Sequence, residues 1–227
     1  MNNAQHNTYF SRDKTYRDRL RILLILYFFS KEASVEEKNL GYARIFKSEV
    51  RIQKIDFLIR YPDYLAFELL ILLDNISDMS SKEQIKRTVK KIFITQEPEI
   101  RRNDMQRYFF GAYEDIDDII AFLVCHGFVI YQSKKSIDGR VFDKIYYLTE
   151  LAVQKIEQEI LNQLDKATWY KDRCELINLY FGNLSGTDLK IRQYQHEEYK
   201  NTPINQYIKG IQDDVRAMFK EIFEEEL

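Results

Sequence analysis

Apolar residues in this chain recur mostly at helical spacing and give way to strand-like runs in one region near the middle. Lys14–Ser30 reads as a helix with a basic first half and a buried second half, after a frayed Met1–Arg12. Lys31–Leu40 is charged and predicts a loop ending at Gly41. Over Tyr42–Arg60, Ile52, Ile55 and Ile59 have helical spacing, although Val50-Arg51-Ile52 could equally open a strand. Pro62 pushes Tyr61 away from helical angles and ends that element, and Asp63 is placed to cap a helix over Tyr64–Asp74 that is apolar nearly all round. Ile76–Ser80 predicts a turn. In Lys82–Phe93, Ile85, Val89, Ile92 and Phe93 share one face.

Polar Gln96–Arg107, with Pro98, predicts a connector and a short helix, and Tyr108-Phe109-Phe110-Gly111 an apolar hinge. The most informative stretch is Ala112–Asp165. Ala112–His126 has a helical stripe of Ile116, Ile119, Ile120 and Leu123, which Gly127 terminates. Phe128–Tyr131 is a strand, Asp138-Gly139 suits a hairpin turn, and Lys144–Leu148 is the returning strand. Thr149 can cap a helix packed through Val153, Ile156, Ile160 and Leu164. Helix, strand, turn, strand, helix is the back half of a winged helix-turn-helix. Beyond it, helices are predicted over Thr168–Phe181, Asp188–Tyr199 (capped by Ser185-Gly186-Thr187) and Ile204–Leu227. The fold class is therefore mainly α with a small β-hairpin. The pattern predicts an N-terminal helical region over residues 1–100, a winged-helix core over 101–165 and a C-terminal helical region over 166–227.

Charge changes this picture. Lys and Arg number 34 against 36 Asp and Glu, a net charge of −2 in 227 residues, which argues against a general nucleic-acid coat. The helix that a winged helix would present to a DNA groove carries Glu114, Asp115, Asp117 and Asp118. Duplex DNA holds one negative charge per roughly 1.7 Å of axis and repels such a face. Those four acids are the candidate partner-binding residues. Candidate nucleic-acid contacts lie elsewhere: Lys86, Arg87, Lys90 and Lys91 opposite the apolar face of their helix, and Lys134, Lys135 and Arg140 on the hairpin. A solvated helix face and an aggregation-blocking edge strand are the structural alternatives for these lysines.

No Gly-rich turn precedes Lys-Ser or Lys-Thr, the three histidines are scattered, and no Cys/His pair has zinc spacing. The chain predicts no enzyme active site, no metal and no cofactor. Two cysteines, Cys125 and Cys174, suit a reducing compartment. Met1–Thr15 lacks the pattern of a secretion signal, and the apolar run Ile22–Phe29 is too short for a membrane span of about twenty residues. A cytoplasmic protein without membrane contact is expected.

The segments KIDFLIRYPDYLAFELL (Lys54–Leu70) and LSGTDLKIRQYQHEEY (Leu184–Tyr199), together with the winged-helix core, resemble the small middle component of ABC-three-component antiphage systems, the group that includes the Lamassu-type accessory subunit. Lys54-Ile55-Asp56-Phe57-Leu58-Ile59-Arg60-Tyr61-Pro62 carries most of the likeness. The resemblance implies a non-catalytic subunit bridging an SMC-like or Rad50-like ABC ATPase and an effector, often a nuclease. The basic hairpin and the Lys82–Lys91 helix leave duplex DNA a candidate further partner within the complex. It transfers no functional residue by motif. The competing expectation is a DNA-binding transcriptional regulator using the hairpin and the Lys82–Lys91 helix.

Overall fold

The computed structural model describes residues 2–108, 111–112, 115–135, 137–138 and 141–227. In chain order the elements are helix α1 (Asn2–Phe28), strand β1 (Lys31–Glu32), helix α2 (Val35–Asn39), strand β2 (Tyr42–Lys47) and helix α3 (Glu49–Arg60). Helix α4 (Pro62–Ile71), with a 3-10 turn over Leu72–Asn75, leads to α5 (Met79–Ile94), α6 (Glu97–Ile100) and the short strands β3 (Arg107–Tyr108) and β4 (Gly111–Ala112). Then come α7 (Asp117–Cys125), β5 (Val129–Lys135), β6 (Val141–Thr149) and α8 (Glu150–Lys155), which passes through a π-turn (Ile156–Ile160) into α9 (Leu161–Gln163). Helices α10 (Asp165–Phe181), α11 (Gly186–Gln195), α12 (Glu197–Asn201) and α13 (Gln212–Phe223) complete the order. The chain is mainly helical with a small antiparallel sheet in the order β1-β2-β6-β5, and β3 and β4 pair separately. It divides into two units, one of Met1–Ile52 with Asp115–Leu189, the other of Gln53–Glu114 with Lys190–Leu227. Among the described residues no helix is long and apolar enough to cross a membrane.

In the first unit the apolar run of α1 is buried without a break from Ile22 to Leu26, and Arg21 beside it is buried against Asp18 at 2.7 Å. Helix α1 packs on α7 and α10. The sheet is knit by aromatic and aliphatic cross-strand pairs, Phe46 opposite Tyr146 and Ile45 opposite Tyr147. Gly127 adopts φ +71°, the left-handed geometry that stops α7, and Thr149 Oγ1 accepts from Ala152 N as the cap of α8. The same hydroxyl donates to Gly127 O at 2.7 Å, so one side chain fastens the end of α7 to the start of α8. Thr149→Ala is expected to cost about 1–2 kcal/mol in a urea titration. An unchanged midpoint would remove this fastening from the account.

Several expected elements shift. Lys31–Leu40 is not a loop: β1 and α2 form there, and α2 starts in a capping box in which Ser34 and Glu37 serve each other's backbone N–H. Strand character falls on Tyr42–Lys47 rather than at Val50. The change to helix occurs at Ser48 (φ +81°), so Val50, Arg51 and Ile52 belong to α3. The helix expected from Ala112 starts only at Asp117, because Ala112 pairs with Arg107 in β4 and the Asp115 carboxylate accepts from Asp117 N at 2.9 Å in an Asx-type turn. Phe109 and Phe110 of the expected hinge, and Gly139 of the hairpin turn, lie outside the described residues.

In the second unit α4 packs on α5 and α13. Asp63 does not cap α4: Tyr61 holds the N-cap position, Pro62 the first turn, and the buried Asp63 carboxylate accepts from Ile211 N at 2.7 Å and Tyr64 N at 3.0 Å. Asp78 caps α5 three residues before Ser81, so that helix begins inside the expected turn. The last helix starts at Gln212, not at Ile204. Residues 205–208 instead run beside Met105–Arg107, with Asn205 N, Arg107 N and Ile208 N donating across to Arg107 O, Gln206 O and Met105 O.

Candidate interaction surfaces

Helix α7 (DDIIAFLVC) is short because the Asp115 turn delays its start and Gly127 stops its end. Ile120 and Leu123 are buried, while Asp117, Asp118, Ala121, Val124 and Cys125 are exposed. The exposed face is acidic at its start and apolar toward its end. No Lys, Arg, Asn or Gln stands anywhere on the helix, so it lacks the side chains that make the commonest bidentate contacts to guanine and adenine. Of the predicted partner-binding residues, Asp115 is exposed before the first turn, Asp117 and Asp118 open the helix, and Glu114 lies outside the described residues.

Asp117 also belongs to a cluster that sequence reasoning missed. The Lys144 ammonium on β6 donates to Glu49 at the start of α3 and lies 3.8 Å from Asp117 Oδ1. Burial works against the Lys144 charge, but the Glu49 hydrogen bond and the two carboxylates outweigh it and hold its pKa above the ordinary lysine value. Tyr146 Oη donates to the same Glu49 carboxylate at 3.2 Å. Burial first, then that negative charge, push the phenol far up. The group keeps β6, α3 and α7 in register and withdraws Lys144 from the hairpin's cationic edge. Lys134 sits 3.9 Å from Asp143 on the opposite strand, Lys135 is exposed, and Arg140 lies outside the described residues.

The basic face of α5, in the other unit, is likewise partly neutralised. Lys86 Nζ donates to Glu225 Oε1 at 2.6 Å and Lys90 Nζ to Glu225 Oε2 at 2.5 Å. Those two hydrogen bonds pull the Glu225 carboxyl down to about 2. Arg87 pairs with Glu83 one turn back at 2.9 Å, and Arg87 and Lys91 line a shallow open groove with Ser80, Glu83, Gln84 and Thr88. The i, i+4 spacing places Lys86 and Lys90 side by side on one helix face, and only the fold shows that Glu225 is the anion between them.

The segment Lys54–Leu70 is almost wholly buried, and its polar groups serve the fold. Arg60 donates to Asn103 O at 2.8 Å, to Asp104 O at 2.7 Å and to the Asp56 carboxylate at 3.4 Å. Tyr61 Oη accepts from Met105 N at 2.8 Å and donates to Ile208 O at 3.1 Å, and burial pushes this phenol up to about 12. Tyr64 Oη donates to Lys209 O, and Phe57 sits among the rings of Tyr61, Tyr64 and Tyr199. Glu68, also buried, lies 2.6 Å from Arg192 Nε and 2.7 Å from His196 Nε2. Lys54 differs from its neighbours: its described hydrogen-bond partner is the neutral Gln193 Oε1, at 2.6 Å. No group of His, Cys, Asp and Glu among the described residues is placed to hold a metal ion. No protein-family model, no curated protein and no solved structure matches the chain.

Proposed function

We propose that this protein is a non-catalytic winged-helix subunit that docks on an SMC-like or Rad50-like ABC ATPase and holds an effector, a nuclease being the class implied by the resemblance to three-component antiphage systems. The observation that carries the protein-docking reading is the exposed face of α7, acidic at Asp117 and Asp118 and then apolar at Ala121 and Val124. Such a face suits a basic-rimmed apolar surface on another protein and is unsuited to a phosphate-lined groove. The winged-helix reading is supported by α7 passing through Gly127 into β5, by the β5–β6 hairpin, and by β6 being paired on both sides, with β5 and with β2. Engagement of the motif's buried polar groups by backbone at 103–105 and 208–211 supports a structural rather than a chemical use for them.

Co-expression with the products of the neighbouring genes tests the proposal. The wild-type chain is expected to co-purify with an ABC ATPase. Asp118→Lys combined with Ala121→Arg, which leaves the Asp117–Lys144 approach in place, is expected to weaken capture tenfold or more, about 1.4 kcal/mol per decade. A monomer that binds neither neighbour overturns the proposal.

A second reading, duplex DNA contact through α5 and the hairpin, is favoured by the exposure of Arg87, Lys91 and Lys135. It predicts binding that weakens steeply with salt and is reduced by the Lys134/Lys135/Arg140 triple alanine.

A further inference from the structure

Lys86 and Lys90 stand one helical turn apart, and their ammonium groups converge on the two oxygens of a single carboxylate, one on each. Aromatic rings lie under both: Phe223 is 5.0 Å from Lys86 Nζ and Phe219 is 5.8 Å from Lys90 Nζ, which steadies the lysines by cation–π attraction whatever anion they hold. The carboxylate arrives by an unusual backbone route. Helix α13 ends at Glu224 in the left-handed region, φ +55°, which a residue other than glycine adopts at a cost, and that turn aims Glu225 back onto α5. Lys220 donates to Glu226 at 2.5 Å and ties down the far side of the turn.

We infer that Lys86 and Lys90 form a binding site for a backbone phosphate of duplex DNA, and that Glu225 occupies this site in cis and closes it. A carboxylate held through both oxygens by two ammonium groups is the nearest protein counterpart of a phosphodiester held through its two free oxygens. Arg87 and Lys91 on the same helix extend the cationic surface beyond the occupied pair. The closure is displaceable. The Glu225 side chain is 44 % exposed and Lys90 35 %, and exposed ion pairs hold weakly against a polyanion that also releases counterions. The inference deepens the second reading above, the contact of α5 with DNA, and rests on it.

The test is fluorescence anisotropy of a labelled duplex of about 20 base pairs with the full chain, over a range of salt concentrations. Glu225→Gln keeps the shape and removes the charge at an exposed position, so folding is not at issue. It is expected to bind about three- to tenfold tighter than wild type, the range two exposed ion pairs can withhold. Its affinity should also fall more steeply with salt, by a slope of up to about one, because one more phosphate is neutralised. Adding Lys86→Gln and Lys90→Gln to Glu225→Gln should abolish both gains. If wild type binds the duplex and Glu225→Gln binds no tighter, closure by Glu225 is overturned while DNA contact stands. If neither binds at low salt, both are overturned.

Discussion

Arg60→Met is expected to lower the unfolding free energy by about 3–5 kcal/mol, the usual cost of removing one member of a buried, hydrogen-bonded charge pair. The guanidinium is buried and its planar fork serves two chain carbonyls, Asn103 O and Asp104 O, while facing the Asp56 carboxylate one turn back. Methionine fills much of the volume but supplies none of the donors, so two carbonyls and a buried carboxylate lose a partner together. Arg60→Lys should recover less than half of the loss, since one ammonium cannot reproduce the bidentate geometry. Urea denaturation followed by circular dichroism measures both. The same variants should be cleaved faster by protease near 101–104, where the anchored backbone is released. A midpoint for Arg60→Met within about 1 kcal/mol of wild type would mean that Arg60 does not anchor this segment.

What could be read in the chain and what could not divides along sequence distance. Gly127 as a helix stop and Thr149 as a cap depend on neighbours a few residues away. The hairpin, expected over Phe128–Tyr131 and Lys144–Leu148 and observed over Val129–Lys135 and Val141–Thr149, pairs residues no more than about twenty apart. The capping box of Ser34 and Glu37 was equally local, and the density of charge around it masked it. The missed features are those whose partner is far along the chain. Asp63 looks like a cap until Ile211, 148 residues on, is seen to donate to it. Tyr42–Lys47 lacks a clean alternation, and becomes a strand because β6, about a hundred residues later, lies beside it. The basic faces illustrate the same point for function. Lys86 and Lys90 read as free cations, yet Glu225 answers both from distances of 139 and 135 residues. The acidic face of α7 could be read directly, because an exposed charge with few partners is a property of the residues themselves.

Lys54→Met is expected to stabilise the chain, by about 1–2 kcal/mol at pH 7, although it removes a buried hydrogen bond. Lys54 is 4 % exposed, its ammonium reaches the neutral Gln193 Oε1, and the charged group bearing on it is another cation, Lys190. Burial first, and then the Lys190 charge, bring its pKa down from 10.5 to about 8. A base with a depressed folded pKa binds fewer protons in the folded state than in the unfolded one between those two values. Stability therefore rises with pH across the window from about 8 to 10.5, and the penalty is present in full below about 8. At 1.36 kcal/mol per pKa unit that penalty is on the order of 3 kcal/mol. Methionine removes it, but leaves Gln193 Oε1 without its donor, which returns roughly 1–2 kcal/mol. Gln193 Nε2 has no acceptor among the described residues, so Lys54→Met with Gln193→Leu removes both defects and should gain about 3 kcal/mol. Urea midpoints at pH 7, 8, 9 and 10 separate the terms: the wild-type midpoint holds nearly level from pH 7 to 8 and climbs from 8 to 10, and the two variants stay level. A wild-type profile that is flat from pH 8 to 10, together with a less stable Lys54→Met, would place an anion beside Lys54 and overturn the burial argument.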